Sequence, residues 1–428
     1  MAKKDKEYAG LGLLDGLYEK ALAKVEKRAA APVDAAREQR ESNSGIFYEV
    51  QGGLANAAAA PATAEAQAVL EQAQRFFEDA EGMLVMDTLD APALRATSFA
   101  ALAAIKRQAG QAPELSLGEA RGAFERLPPE AVVDRARALL ALARPGVASR
   151  DLDRLALKRA DQLLASSYDC ESAEIRAEMA LLLHAAGDDS AATALFTAAR
   201  KVLSASSPGA FAATLARVAA KEALSGFDAE PTFRKARMIL DTAELDREDF
   251  FGVCADFVGA RAEALQLEAA RAELARLADS GEEAAAASLL RARGLMAAAM
   301  AKGGDVSAAQ AELARIPRGP NRFTASAAIE ALSVASRALA ERGYSHAAQR
   351  VRDEAFLVLK ALQEAGVNEL TESAIMALAI ALASCGSSAD AQTFAGAAGA
   401  RATEARAEVA LATARAGLRL MQDARSRR

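Results

Sequence analysis

Tryptophan is absent from the sequence, and aromatic residues together make up only 5% of it. Large β-sandwich cores favour aromatic and β-branched side chains, so this shortage argues against one. Histidine occurs twice, as His184 and His346, and neither has a cysteine at metal-ligand spacing, which excludes a local zinc site. The three cysteines, Cys170, Cys254 and Cys385, lie far apart with no CxxC pair. They read as reduced, buried, small apolar residues. No GxSxG, GxGxxG or Walker phosphate loop is present, so nucleophilic catalysis and nucleotide binding have no motif to rest on, and no cofactor is expected. Long apolar runs are missing too. The most apolar stretch, Ala374–Ser384, is far short of the roughly 18 residues a membrane span needs. The N-terminal residues lack the uninterrupted apolar region of a secretory signal, so the expected compartment is the cytoplasm. A basic excess is also lacking: the net charge is −6 and the isoelectric point about 5.4, with both signs mixed. That balance weighs against nucleic acid as the partner.

What is present is alanine. Hydrophobic residues are 52% of the 428, and much of that is alanine. Alanine has the highest helix propensity, and its small side chain lets helices approach closely. The composition therefore predicts an all-α protein with alanine-lined helix contacts. Its alanine and arginine bias also suggests a GC-rich bacterial source. Residues 1–28 contain a short amphipathic helix in which Leu14, Leu17, Tyr18, Leu22 and Val25 follow helical spacing. Residues 29–60 read as a flexible linker. From 61 to 428 the periodicity gives one long helix over 62–86 and then helix pairs. The pairs fall at 92–108 and 117–126, 129–143 and 149–165, 174–186 and 190–204, and 208–224 and 229–242. Four more fall at 247–263 and 265–279, 282–302 and 306–316, 323–342 and 344–364, and 368–384 and 388–399. A last helix over 402–421 caps the array.

Glycines punctuate these pairs. Gly110, Gly146, Gly187, Gly226, Gly303, Gly343 and Gly386 are separated by 36, 41, 39, 77, 40 and 43 residues. The gap of 77 is two units with one glycine missing near Ala264, so the period is about 39. A period of roughly 20–50 residues indicates a solenoid built from one repeated supersecondary unit.

The clearest unit spans Glu174–Ser204. Gly187, Ala192, Phe196 and Ala199, with Ala180 and Leu183 before them, have the spacing of small and large packing positions in the tetratricopeptide repeat, which the chain resembles. Ala297, Met300, Gly304, Ala309 and Leu313 fit the same pattern, as do Ala229, Phe233 and Ala236, and Ala120 with Phe124. The sequence departs from the family at Arg352, which stands where a large apolar residue is expected, and in lacking the first-helix tryptophan. Its unit also exceeds the family's usual length of about 34 residues. The resemblance implies a right-handed α-solenoid of about eight antiparallel helix pairs. It further implies a non-enzymatic scaffold or adaptor that binds a peptide or helix of a partner protein on the face lined by the first helices.

Carried onto this sequence, the face-lining candidates are Glu174, Ala177, Leu181, His184, Arg291, Lys302, Glu330, Arg337 and Glu341. The family's clamp for chaperone tails needs asparagines within first helices. Asn43, Asn56, Asn321 and Asn368 all lie elsewhere. Leu14, Leu17, Tyr18 and Leu22 are candidates for docking or self-association; the other readings of the same helix are a cap folded back on the solenoid and a helix lying on a membrane surface. The alternatives are an RNA-binding helical-repeat protein and a regulatory domain of an enzyme complex. Asp188–Asp189 and Glu282–Glu283 read as helix-start charges. Arg401, Arg406, Arg415 and Arg419, alternating with Glu404 and Glu408, read as a solvated face or a contact surface.

Overall fold

A computed structural model describes residues 64–143, 150–202, 207–319, 324–365 and 370–426. The expected amphipathic helix and linker of residues 1–60 lie outside the described residues. Among the described residues the protein is all-α: 82% are helical, in 18 α-helices, with no strand. In order these are α1 (Ala64–Asp87), α2 (Pro92–Gln108), α3 (Glu114–Glu125), α4 (Val132–Leu142), α5 (Arg150–Leu163), α6 (Cys170–Ala185), α7 (Asp189–Ala199), α8 (Pro208–Leu224) and α9 (Glu230–Thr242). They continue as α10 (Arg247–Glu263), α11 (Leu267–Asp279), α12 (Glu283–Lys302), α13 (Val306–Leu313), α14 (Ala325–Glu341), α15 (Ser345–Glu364), α16 (Glu372–Ser384), α17 (Ser388–Gly396) and α18 (Ala402–Ser426). Among the described residues, no helix is long and apolar enough to cross a membrane.

Local chemistry sets the helix boundaries. The side chains of Asp169, Asp188, Ser207, Asp246, Asp305 and Thr371 each accept a hydrogen bond from a first-turn amide, satisfying a donor the helix cannot. These caps shift two boundaries from their expected places. The helix expected from Glu174 starts at Cys170, because Asp169 caps it, and the one expected from 368 starts at Glu372, behind Thr371.

At the helix ends one motif recurs. Gly110, Gly187, Gly226, Gly304, Gly343 and Gly386 have positive φ, and so does Leu265 at φ 59°. In each case the next residue's amide donates to the carbonyl five residues earlier, as Gln266 does to Arg261 (2.9 Å) and Asp188 to Leu183 (2.9 Å). This is the Schellman closure. The left-handed residue of its turn is Gly304 rather than the expected Gly303. Leu265 fills the missing glycine's place. Positions 187, 226, 265, 304 and 343 are therefore each 39 residues apart.

Leu265 is largely exposed, so its side chain gains little there while its backbone carries the left-handed penalty of about 1–2 kcal/mol. Glycine loses roughly 0.5–1 kcal/mol of that benefit through unfolded-state entropy. Leu265→Gly is expected to stabilise the protein by about 0.5–1 kcal/mol, read as a raised urea midpoint. Gly187→Ala, with open space around the added Cβ, is expected to lower it. A fall in midpoint for Leu265→Gly would count against the account.

Two compact units form, and each is described separately: a central unit, Leu84–Ala292, and a terminal unit made of residues up to Met83 together with Arg293–Arg428. In the central unit α2/α3, α4/α5, α6/α7, α8/α9 and α10/α11 pack as hairpins. Each first helix also packs on the next, α2 on α4, α4 on α6, α6 on α8 and α8 on α10. In the terminal unit α14/α15 and α16/α17 are hairpins, and α14, α16 and α18 pack side by side. Alanine outnumbers every other residue type in the buried core, with Phe77, Phe99, Phe196, Phe233, Phe257, Phe356 and Phe394 as its largest members. In the terminal unit α1 lies against α18. A Cβ on Gly417 would sit 3.0 Å from the Ala73 carbonyl oxygen and 3.3 Å from Phe77.

Candidate functional site

In the central unit, Glu174 and Arg291, singled out by spacing alone, are joined through two residues that spacing did not select. Glu174 of α6 pairs with Arg217 of α8 at 2.7 Å, Arg217 with Asp256 of α10 at 3.7 Å, and Asp256 with Arg291 of α12 at 3.1 Å. The Thr214 hydroxyl of α8 also reaches Glu174. A second rung, Lys221 to Glu263 at 2.6 Å, lies one helical turn along α8, and Arg137 of α4 bridges to Glu171. On this face α6 therefore offers carboxylates, α8 cations, α10 carboxylates and α12 a cation. All four ladder residues remain partly exposed, so each pair contributes at most about 1 kcal/mol.

Leu181 is half-buried, and Ala177 is fully buried and belongs to the core. His184, in the last turn of α6, meets Asp189 at the start of α7 through Nδ1 at 2.7 Å. Its ring packs edge-on against Phe227, 5.8 Å between centroids, and Phe227 in turn packs on Phe196. The histidine thus closes the hairpin turn.

The terminal unit brings Lys302, Arg337 and Glu341 together. Arg337 Nε donates to Glu341 at 2.9 Å on α14, and its Nη2 lies 3.9 Å from Glu408 of α18. Arg415 of α18 lies 3.8 Å from Glu341. Burial raises the Glu341 carboxyl, but the guanidinia of Arg337 and Arg415 and the ammonium of Lys302 outweigh it and hold the group below its ordinary 4.5. Glu330 stands nearer the start of α14 and accepts from the Ser373 hydroxyl of α16 at 3.2 Å. Arg419 donates to the Ser384 carbonyl at the end of α16, where a cation suits the helix dipole. Arg415 and Arg419 therefore make contacts within the fold. Leu14, Leu17, Tyr18 and Leu22 lie outside the described residues.

Elsewhere, burial pushes the Cys254 thiol up to about 11, which fits an inert core residue. Among the described residues no group of three or more histidine, cysteine or acidic side chains could hold a metal ion.

One buried carboxylate stands apart from the surface pairs. Glu222 is fully buried at the end of α8. Its Oε1 accepts from Arg200 Nε at 2.5 Å, while Oε2 has no hydrogen-bond partner. Burial raises its pKa above 4.5 and outweighs the lowering by the neighbouring Thr232 side chain and the Arg200 guanidinium. A carboxyl with a raised folded pKa binds its proton more tightly when folded. Its stabilising contribution is complete below pH 4.5 and is lost as pH rises through the folded value. Glu222→Gln is expected to remove that part of the pH dependence. Urea midpoints measured from pH 4.5 to 7.5 should flatten relative to the parent, and an unchanged slope would contradict the assignment.

Compared with known proteins, the chain matches no protein-family profile and no curated sequence.

Proposed function

We propose that the chain is a tetratricopeptide-like α-solenoid acting in the cytoplasm as a non-enzymatic scaffold, which binds a peptide or helix of a partner protein across its first helices. The observation that carries this is the 39-residue recurrence of the left-handed helix closure, together with first helices packed side by side. Stacking of like units leaves one edge of each first helix unburied, and Glu174, Arg217, Asp256 and Arg291 line up along that edge. An edge of alternating sign suits a partner carrying both charges better than a phosphate backbone, which calls for one sign.

Affinity capture with the full chain tests the reading against two variants, one lacking the first 60 residues and one carrying Glu174→Lys with Arg291→Glu. A specific partner held by the full chain and lost with the charge reversals supports it. Identical recovery by the reversed chain, or none by any form, removes it. We also propose that the N-terminal segment is a docking or self-association element. Leu14→Asp with Leu17→Asp should reduce the assembled mass seen by sedimentation, and unchanged mass eliminates that role.

A further inference from the structure

We infer that the face of α18 beneath α1 is a helix-binding seat, that α1 is its resident ligand, and that a separate helix carrying the same stripe can take α1's place. α1 touches α18 as a helix laid in a groove does, through anchors at i, i+3, i+4 and i+7. Ala73, Phe77 and Ala80 are buried and Phe76 is half-buried, while Glu71, Gln74, Arg75, Glu78 and Asp79 on its other faces are exposed. Its neighbours in the terminal unit are enclosed differently. α14 buries the consecutive residues 331–333 and 338–340, and α18 buries 409–414, so each is covered from several sides. A helix held by one stripe belongs to the low-stability end of a structure and can open while its neighbours stay folded.

The shape of the seat selects its occupant. Gly417, within α18, has no side chain, and a Cβ there would lie 3.0 Å from the Ala73 carbonyl oxygen, 3.1 Å from Phe76 Cβ and 3.3 Å from the Phe77 ring. Glycine permits a backbone to come this close, and alanine at position 73 keeps the opposite side thin. The Phe76 ring reaches the turn after α16, where a Cβ on Gly386 would lie 3.8 Å from it. Positions 73, 76, 77 and 80 share one face only in an α-helix, because successive side chains of a strand alternate. The partner that fits is therefore a helix with an alanine, two large apolar residues three and four positions on, and a second alanine at the seventh. The seat belongs to the terminal unit, and its occupancy can be tested without reference to the scaffold reading.

The probe is a labelled peptide of residues 64–83, with a scrambled peptide of equal composition as its control. Binding to the full chain is followed by fluorescence anisotropy. Phe77→Glu should release α1 and leave the seat intact, whereas Gly417→Leu should release α1 and fill the seat. The peptide should bind the Phe77→Glu chain at least about tenfold tighter than the parent, whose tethered α1 competes at high effective concentration. It should bind the Gly417→Leu chain no better than the scramble does. Equal binding to the parent and to Phe77→Glu overturns the inference. Equal binding to the two variants, or no preference over the scramble, overturns it too. Hydrogen exchange on the unaltered chain gives the answer where a variant fails to fold. Amides of α1 should exchange at least about tenfold faster than those of α14 and α18. A single rate for all three, set by unfolding of the whole unit, would mean that α1 does not leave its seat.

Discussion

Gly294→Ala should destabilise the terminal unit by about 3 kcal/mol, at the upper end of what overpacking usually costs. A Cβ at this position would lie 2.4 Å from Ala331 Cα, 2.6 Å from its Cβ and 2.8 Å from its carbonyl oxygen. Two of those three atoms are backbone, so no side-chain rotation relieves the clash and α12 and α14 must move apart. Helix propensity works in the opposite direction, since alanine is better than glycine by about 1 kcal/mol in a helix interior. The steric cost is larger and sets the sign. Gly118→Ala and Gly122→Ala isolate the propensity effect. Both lie within α3 with nothing inside 4 Å of the added carbon, and each should raise stability by about 1 kcal/mol. Chemical denaturation of the three variants checks the argument, and a neutral Gly294→Ala would defeat it.

Phe196→Ala should cost about 3–5 kcal/mol. The ring is 1% exposed and sits in one core with Met179, Ala180, Leu183, Ala192 and Leu195, edge-on to Phe227 at 5.4 Å. Much of the surrounding packing is alanine, whose side chain cannot swing into a void, so little of the cavity should close. Phe196→Leu, which keeps most of the volume, should lose much less. The lowered urea midpoint of the central unit is the readout, and a loss under about 1 kcal/mol would mean that the hairpin collapses around the hole.

These two positions also mark what could be read in advance. Phe196 was legible because a turn glycine, a small residue and a large one recur at fixed distances, and the hairpin needs that pattern to close. Helix existence was legible for the same reason, and nearly all boundaries fell within a few residues of expectation. Gly294 was not legible. Its meaning lies in Ala331, 37 residues away in sequence, and nothing local to RARGLMA marks a crossing point. Leu265 was half legible: the missing glycine could be located, but sequence alone gives no sign that a leucine would adopt its conformation.

The charge ladder was partly recoverable. Spacing marks Glu174 and Arg291 only as isolated points on first helices. Positions 174, 217, 256 and 291 fall close to one repeat apart with alternating sign, so comparing equivalent positions between units would have found Arg217 and Asp256. Arg415 and Arg419 were harder. Their alternation with acids is also the pattern of an exposed helix, and only the packing of α18 on α16 and α14 separates the two meanings.

The contact of α1 with α18 has a consequence for synthesis. Ala73 and Gly417 touch across 344 residues of chain. At roughly 5–20 residues per second, Phe77 leaves the ribosome on the order of 17–70 s before the helix that will cover it. For that interval a bulky aromatic face has no native cover, while the intervening hairpins can already form from local contacts. A nascent chain arrested before residue 402 should therefore hold its middle folded and Phe77 of α1 exposed, a natural target for chaperones, until the final helix emerges.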